Sequence, residues 1–218
     1  MIVTIDGPAG AGKSTVAREL ARRLGFRLLD TGAMYRSVAL AALERELDWD
    51  DPDALVALAQ EVRIELNEDR VLLDGQDVTR AIRTGVVTSA THYAANNPGV
   101  RAHLVELQRR AVIDENVICE GRDQGTVVFP HAACKIYLTA SPEERARRRA
   151  EDLAARGESA TVEQVLANQN LRDRRDATRA VGRLTPAADA VEVCTDGLTS
   201  EQVVSRLEII VREKMLRD

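Results

Sequence analysis

The chain has 218 residues, a net charge of −5 and a pI near 5.4, an acidic balance that argues against a general nucleic-acid-binding protein. No apolar run approaches the ~20 residues of a membrane span and a strand-like run starts at once, so we expect no membrane association, no signal peptide and a cytoplasmic protein. The three distant cysteines, Cys119, Cys134 and Cys194, stand in apolar runs and are expected to be buried thiols.

Short apolar runs alternate with helical patterns along the chain. The runs cover residues 2–5, 117–119, 133–138 and 190–194. This alternation predicts an α/β fold with a mainly parallel sheet covered by helices. Residues 63–78 differ, because they read as short antiparallel strands joined by turns at 67–69 and 74–75. Such a sheet cannot share the parallel register, so we expect an inserted subdomain.

Helix starts are marked by capping residues. Asp51-Pro52 predicts one start, and Ser141-Pro142-Glu143-Glu144 predicts a capping box with proline at the first helical position. Weaker boxes are predicted at the two Thr-x-x-Gln sequences that begin at residues 161 and 199. The stretch 156–159, between two helical patterns, is typical of a mobile loop.

Residues 7–14 read GPAGAGKS, a complete phosphate-loop motif between a strand-like run and a helical pattern. Its glycines allow backbone N–H groups to point at an anion, and the helix beginning near Lys13 adds its positive end. Lys13 can reach the β- and γ-phosphates, and the Ser14 hydroxyl can join a Mg²⁺ shell. We therefore expect a nucleoside triphosphate to be bound by Gly7, Pro8, Ala9, Gly10, Ala11, Gly12, Lys13, Ser14 and Thr15.

Two later segments follow predicted strands and carry charged side chains. Residues 30–36 open a helix with Thr31 at its cap, and Arg36, beside Tyr35, is either an anion ligand or a surface arginine. Residues 117–126 lead from a strand into a Gly-Arg-Asp turn, at the end of the sheet where ligands bind in α/β proteins. The alternative for Arg122 in that turn is a loop salt bridge with a carboxylate.

The chain has only three lysines among its 30 basic residues, and ten of its 27 arginines lie between residues 145 and 183. On a helix, Arg172, Asp176 and Arg179 would share one face, where two guanidinium groups and a carboxylate suit a polyphosphate and a hydroxyl. The alternative is a solvated charged helix. A second arginine cluster occupies residues 145–149, and some of its members must face solvent.

One phosphate loop together with several arginine sites provides more positive charge than one ATP requires. A second phosphorylated substrate is therefore implied. A phosphate acceptor is already largely dianionic at pH 7 and needs no general base, whereas a kinase acting on a sugar hydroxyl would need a carboxylate base.

From residue 2 to about residue 214 the chain resembles the bacterial cytidylate kinases, within the nucleoside-monophosphate kinases. The specific segments are IDGPAGAGKST, LLDTGAMYR, the small inserted sheet with IRT after it, EGRDQGTVVFP, and RDRRDATRAV followed by LTPAADA. The resemblance implies a P-loop core of about residues 1–49, 98–145 and 182–218, a monophosphate-binding insertion of about residues 50–97, and a lid of about residues 146–181. It also implies phosphoryl transfer from ATP, with Mg²⁺, to CMP or dCMP in pyrimidine nucleotide metabolism.

The resemblance implies a role for each matching residue. Lys13, Arg122, Arg172 and Arg179 would be catalytic, and Arg148 would contact ATP. Arg36, Arg122 and Arg179 would hold the acceptor phosphate, Arg172 and Asp176 would meet the ribose with Thr31 and Tyr35 lining its pocket, and Arg101 and Asp123 would read cytosine. The last assignment suits the base, because a carboxylate accepts from its amine and an arginine donates to its ring acceptors.

Two positions depart from the family pattern. His92, nine residues before Arg101, stands where a base-contacting serine is expected, so either His92, a neighbouring Thr91 or Ser89, or a shifted register supplies that contact. Gln124 replaces an expected apolar residue and is expected to face solvent. The alternative functions are a kinase of another small acceptor, such as shikimate or dephospho-coenzyme A, and a nucleotide-dependent switch. We expect a monomer.

Overall fold

The structure is a computed structural model that describes residues 1–67, 70–155, 157–179 and 181–216. Two compact units are present: a larger one of Met1–Leu28 and Glu115–Asp218, and a smaller one of Leu29–Asp114. Residues 68 and 69 of the predicted first turn, and residue 156 of the predicted loop, lie outside the described residues.

The described residues form eight strands and eight α-helices. The strands are β1 Ile2–Asp6, β2 Arg27–Asp30, β3 Ile64–Leu66, β4 Val71–Leu73, β5 Gln76–Asp77, β6 Val117–Gly121, β7 Cys134–Thr139 and β8 Val191–Cys194. The helices are α1 Lys13–Leu24, α2 Thr31–Glu44, α3 Pro52–Glu61, α4 Gly85–Asn96, α5 Pro98–Arg110, α6 Pro142–Ala155, α7 Val162–Thr178 and α8 Ser200–Met215. All four apolar runs that predict core strands do form strands.

The five-stranded sheet has the order β2-β6-β1-β7-β8. Strand β1 pairs in parallel with β6 and with β7, and β7 pairs in parallel with β8, so the predicted parallel sheet is confirmed. Helices α1 and α8 pack together on the sheet, and their apolar residues share a core with those of β1 and β7. The register sets Asp6 opposite Gly121, which brings the segments after β1 and β6 out at the same sheet edge.

The smaller unit contains the predicted antiparallel sheet, in the order β3-β4-β5. Asp74 and Gly75 join β4 to β5 with φ angles of 50° and 83°. Two successive residues with positive φ are what a two-residue hairpin of type I′ requires, and the Asp-Gly pair therefore predicted this turn correctly. The sheet and helices α2 to α5 contribute side chains to one continuous apolar core.

The predicted capping box at Ser141 is only half formed. The Ser141 hydroxyl accepts from the backbone N–H of Glu144 at 3.3 Å, but the backbone N–H of Ser141 donates to Asp196. The Glu144 carboxylate instead binds Arg147 and Arg148. The two Thr-x-x-Gln boxes, which were expected to be weaker, are complete at the starts of α7 and α8.

The expectation of three buried thiols is wrong for Cys194. Cys119 and Cys134 are buried, and burial raises the pKa of the Cys134 thiol to about 11. Cys194 is exposed because burial alternates along β8, where its neighbour Val193 is fully buried and Cys194 lies on the other face. None of the helices in the described residues is long and apolar enough to cross a membrane.

Candidate active site

The phosphate-loop motif connects β1 to α1, as predicted. Gly7 has a φ of 149°, and a Cβ atom on it would lie 1.9 Å from the carbonyl oxygen of Leu138 in β7. Only glycine can therefore start the loop at this point of the sheet. Gly12, with a φ of 85°, is the N-cap of α1, and Lys13 is the first residue of that helix. Backbone N–H groups at a helix start of this kind bind anions.

Lys13 is buried within this loop. Its Nζ donates to the carbonyl oxygen of Pro8 at 2.7 Å. Burial, together with the positive charges of Arg122 and Arg172, lowers the pKa of the Lys13 ammonium well below its usual range. An anion bound at the loop would offset this accumulation of positive charge.

Asp6 connects the end of β1 to the segment that follows β6. Its carboxylate accepts from the backbone N–H groups of Gln124 and Gly125, at 2.9 and 2.8 Å. These two residues begin a π-helical turn, Gln124–Val128. The expectation that Gln124 faces solvent is wrong, since the residue, at the start of this turn, is only 1% exposed. Asp6 thus fixes the Gly-Arg-Asp segment beside the phosphate loop.

This arrangement predicts an unusual pH dependence of stability. Burial raises the pKa of Asp6 from 3.8 to about 6, although its two N–H bonds oppose the rise. A carboxyl with a raised folded-state pKa contributes stability that is present below pH 4 and lost as the pH rises through 6. Relative to Asp6→Asn, the wild-type free energy of unfolding should fall by about 3 kcal/mol between pH 3 and 8.

Urea unfolding of both proteins over this pH range measures the difference. Asp152→Asn, a change at an exposed aspartate of α6, is the control and should follow the wild type. Parallel curves for wild type and Asp6→Asn would show that the Asp6 carboxyl titrates alike in the folded and unfolded chains.

Arg122 and Arg179 converge on one buried carboxylate. The Nε of Arg122 lies 3.1 Å from Oδ2 of Asp176, and Nη2 of Arg179 lies 2.5 Å from Oδ1. The loop salt bridge considered for Arg122 is therefore present, with a partner 54 residues away. The carboxylate orients both guanidinium groups, and this is an arrangement that can present them to a phosphate.

The prediction that Arg172, Asp176 and Arg179 share a helix face is wrong in one respect. Helix α7 ends at Thr178, and Arg179 is its C-cap with a ψ of 140°. Extended backbone at this position turns Arg179 back toward Asp176. Arg172 is exposed on α7, and its charge acts on Lys13. Asp123 is buried after β6, and its charge acts on Asp6.

The arginines at the start of α6 lie in different surroundings. Arg148 donates to Oγ1 and the carbonyl oxygen of Thr195, at 2.9 and 2.7 Å, and its contact with ATP stays a prediction. Arg145 is buried and donates to the carbonyl oxygen of Ala9 in the phosphate loop at 3.0 Å. It also pairs with Asp173 of α7 at 2.7 Å. The sequence had no signal that distinguished Arg145 from its neighbours, because burial of one arginine depends on the phosphate loop and α7.

In the smaller unit, Asp30 organises a second group of arginines. Both carboxylate oxygens of Asp30 lie within 3.2 Å of Nη2 of Arg36, and Nη2 of Arg83 lies 3.4 Å from Oδ2. The Nε of Arg36 is buried and has no hydrogen-bond partner among the described residues. Arg83 belongs to the IRT segment of the family resemblance, and nothing in the sequence by itself indicates its pairing with Asp30.

Other predicted substrate residues lie near this group in the smaller unit. The cap of α2 is Asp30, which accepts from the backbone N–H of Ala33, and the expectation of Thr31 at that position is wrong by one residue. Thr31 is the buried first residue of the helix. Arg101 is buried with its guanidinium 5.7 Å from the centre of the Tyr35 ring, a cation–π arrangement.

His92 is engaged by its own helix. Its Nδ1 lies 2.6 Å from the carbonyl oxygen of Ser89, and its ring centre lies 4.1 Å from that of Tyr93. Tyr93 in turn stacks on Trp49 at 4.5 Å. A base contact by His92 stays a prediction.

A family model described as cytidylate kinase matches residues 3–213 of the chain. The chain belongs to the cytidylate kinase family. The family suggested by the sequence motifs is therefore confirmed. Cytidylate kinase of Rhodopirellula baltica is 50% identical over 213 residues, covering 98% of this chain and 93% of that protein. Cytidylate kinase of Pelotomaculum thermopropionicum is 51% identical, covering 94% of this chain and 93% of that protein.

Two further comparisons concern architecture. The bifunctional pantoate ligase/cytidylate kinase of Gloeobacter violaceus is 48% identical, and the match covers 98% of this chain but 43% of that protein. A crystal structure of shikimate kinase from Bacteroides thetaiotaomicron has a TM-score of 0.51 at 13% identity, covering 97% of this chain and 98% of that one. At this identity the likeness concerns the fold alone, and it agrees with the predicted P-loop kinase architecture.

Proposed function

We propose that the chain transfers the γ-phosphate of ATP to CMP or dCMP and releases ADP with CDP or dCDP, as a cytoplasmic monomer of pyrimidine nucleotide metabolism. The observation that carries the proposal is that this member of the cytidylate kinase family has a cationic site in each of its two units. The larger unit has the phosphate loop with Lys13, and the smaller unit has Arg36 and Arg83 on Asp30. One ATP does not need both sites.

The residues of the larger unit act on the transferred phosphoryl group. The loop from Gly7 to Thr15 binds the phosphates of ATP, with Lys13 stabilising the charge that develops on transfer. Arg122 and Arg179, oriented by Asp176, and Arg172 neutralise the acceptor phosphate and the transferring group. Arg148 contacts ATP. No residue need act as a general base, since the acceptor oxygen is already ionised.

Ser14 fits a magnesium site of the kind that phosphate loops form. It is exposed in the first turn of α1, and the described residues contain no cluster of three histidine, cysteine or carboxylate side chains that could hold a metal without help. Mg²⁺ usually retains several waters and binds through few protein ligands together with phosphate oxygens. When bound, the ion would neutralise phosphate charge, and the Ser14 hydroxyl would be its protein ligand.

The residues of the smaller unit recognise the acceptor nucleotide. Arg36 binds the acceptor phosphate, Thr31 and Tyr35 line the ribose pocket, and Arg101 and His92 contact cytosine. Support comes from the buried, unpartnered Nε of Arg36 and from the packing of Arg101 on Tyr35. Asp123 completes base recognition and Asp176 meets the ribose.

A coupled assay of ADP release over CMP, dCMP, UMP, AMP and shikimate tests the proposed function. We expect turnover with CMP and dCMP, and much less with the other acceptors. Turnover with shikimate and with none of the nucleotides, or ATP hydrolysis without any acceptor, would contradict the proposed function. The shikimate arm is included because a shikimate kinase shares this fold.

Asp123→Asn tests the reading of the base. A carboxylate can only accept hydrogen bonds, so it favours the cytosine amine and disfavours the uracil carbonyl in a dry pocket. Leaving two acceptors facing each other costs about 1–3 kcal/mol, which is roughly tenfold to a hundredfold in selectivity. The amide of asparagine adds a donor at the same place. We expect the ratio of kcat/KM for CMP to that for UMP to fall, mainly through loss of CMP use, and an unchanged ratio would exclude Asp123 from base recognition.

A further inference from the structure

A buried side-chain amide beside the phosphate loop has no hydrogen-bond partner. Gln169, on α7, is only 8% exposed, yet neither its Oε1 nor its Nε2 has a partner among the described residues. The large majority of buried side-chain polar atoms in proteins are hydrogen-bonded. An amide of this kind indicates a site for a group that comes from outside the chain.

The position of Gln169 shows which part of the loop it faces. Its Nε2 lies 3.4 Å from the point where a Cβ atom on Gly10 would stand. Gly10 has a φ of 80°, a left-handed conformation that lets the loop curl around an anion. The amide therefore borders the middle of the phosphate loop. On α7 it lies two helical turns before Asp176, which pairs with Arg122 and Arg179.

The charges around Gln169 favour an anion at this point. Asp173, one turn further along α7, has a buried Oδ1 without a partner, but its Oδ2 pairs with Arg145. Arg145 also donates to the loop carbonyl of Ala9, so the aspartate charge is compensated at the loop itself. Lys13 adds a further positive charge to the loop. A neutral amide here can donate to a phosphate oxygen without adding to an already crowded group of cations.

We propose that Gln169 is a donor-nucleotide ligand, with its Nε2 donating a hydrogen bond to a phosphate oxygen of ATP beside Gly10. This inference rests on the proposed binding of ATP at the phosphate loop. It makes α7 contribute directly to the ATP site, at a residue one turn before Asp173 and its ion pair with Arg145. The role is one of binding and positioning the polyphosphate.

Gln169→Leu tests this proposal, because leucine fills a similar volume and has no polar atoms. A hydrogen bond to a charged phosphate is lost, so the Kd and KM for ATP should rise roughly tenfold to a hundredfold. The KM for CMP should change less than twofold. The Tm measured without nucleotide should stay the same or rise, since an unpartnered buried amide has been replaced by an apolar group.

Three further variants complete the test. Gln169→Glu keeps the shape but sets a negative charge beside the phosphates, and it should weaken ATP binding more than leucine does. Asn170→Leu changes an exposed amide on the same helix and should leave ATP binding as it is in the wild type. Gln169→Met also lacks the amide, and its flexible side chain can fill the site if leucine packs poorly. It should show the same loss of ATP binding as Gln169→Leu.

The outcomes separate this inference from the proposed function. Wild-type ATP affinity in Gln169→Leu and Gln169→Met, or a Tm that falls in both while ATP affinity is kept, would overturn the role of Gln169 as a ligand. A wild-type chain that binds ATP through Gln169 but does not phosphorylate CMP would overturn the proposed function and leave the inference standing.

Discussion

Replacement of Lys13 by alanine should reduce kcat by about 10³-fold or more, because positioned charge is the main source of catalysis in phosphoryl transfer. The structure adds a second expectation. The Lys13 ammonium is buried beside other cations, and its pKa is lowered by burial and by the charge of Arg122. Removing it should therefore leave the Tm without nucleotide unchanged or slightly higher.

Lys135→Ala is the matched control for this experiment. Lys135 is also buried, but its Nζ donates to the carbonyl oxygen of Pro130 and pairs with Asp189. Its loss should lower the Tm while kcat changes little. Steady-state kinetics and thermal unfolding of the two variants provide both readouts, and near-normal turnover in Lys13→Ala would contradict the assigned role of Lys13.

Asp176→Ala should reduce kcat/KM for dCMP by about 10²-fold, because guanidinium groups that are no longer held in position stabilise the transferring charge less well. Here one carboxylate holds both Arg122 and Arg179. If Asp176 also meets the ribose, CMP should lose a further severalfold, because only ribose has the 2′-hydroxyl that donates to it. The difference between the two substrates measures the ribose contact alone.

The control for Asp176 is Arg175→Ala, a change at an exposed neighbour on α7 that should affect neither substrate. Unchanged use of dCMP by Asp176→Ala would show that the two arginines keep their positions without the carboxylate. An equal loss with CMP and dCMP would instead limit Asp176 to orienting them.

Features that depend on a few consecutive residues were predictable from the sequence. The phosphate loop, the Asp-Gly hairpin and the complete capping boxes at Thr161 and Thr199 are local, because backbone conformation and short-range hydrogen bonds decide them. The strands of the parallel sheet were also predicted, since each contains a short apolar stretch between helical patterns. The family motifs combine several such local features.

Tertiary structure decided which polar side chains are buried and with what they pair. Asp6 accepts from Gln124, and Arg122 pairs with Asp176, across sequence separations of 118 and 54 residues. The burial of Gln124 follows from the turn after β6, and the exposure of Cys194 follows from the face of β8 on which it lies; residue type reveals neither. The orphan amide of Gln169 follows likewise from the packing of α7 beside the phosphate loop. The sequence alone determined that this protein has a phosphate loop in a helix-covered parallel sheet, while the pairing of its charged groups required segments that only folding brings together.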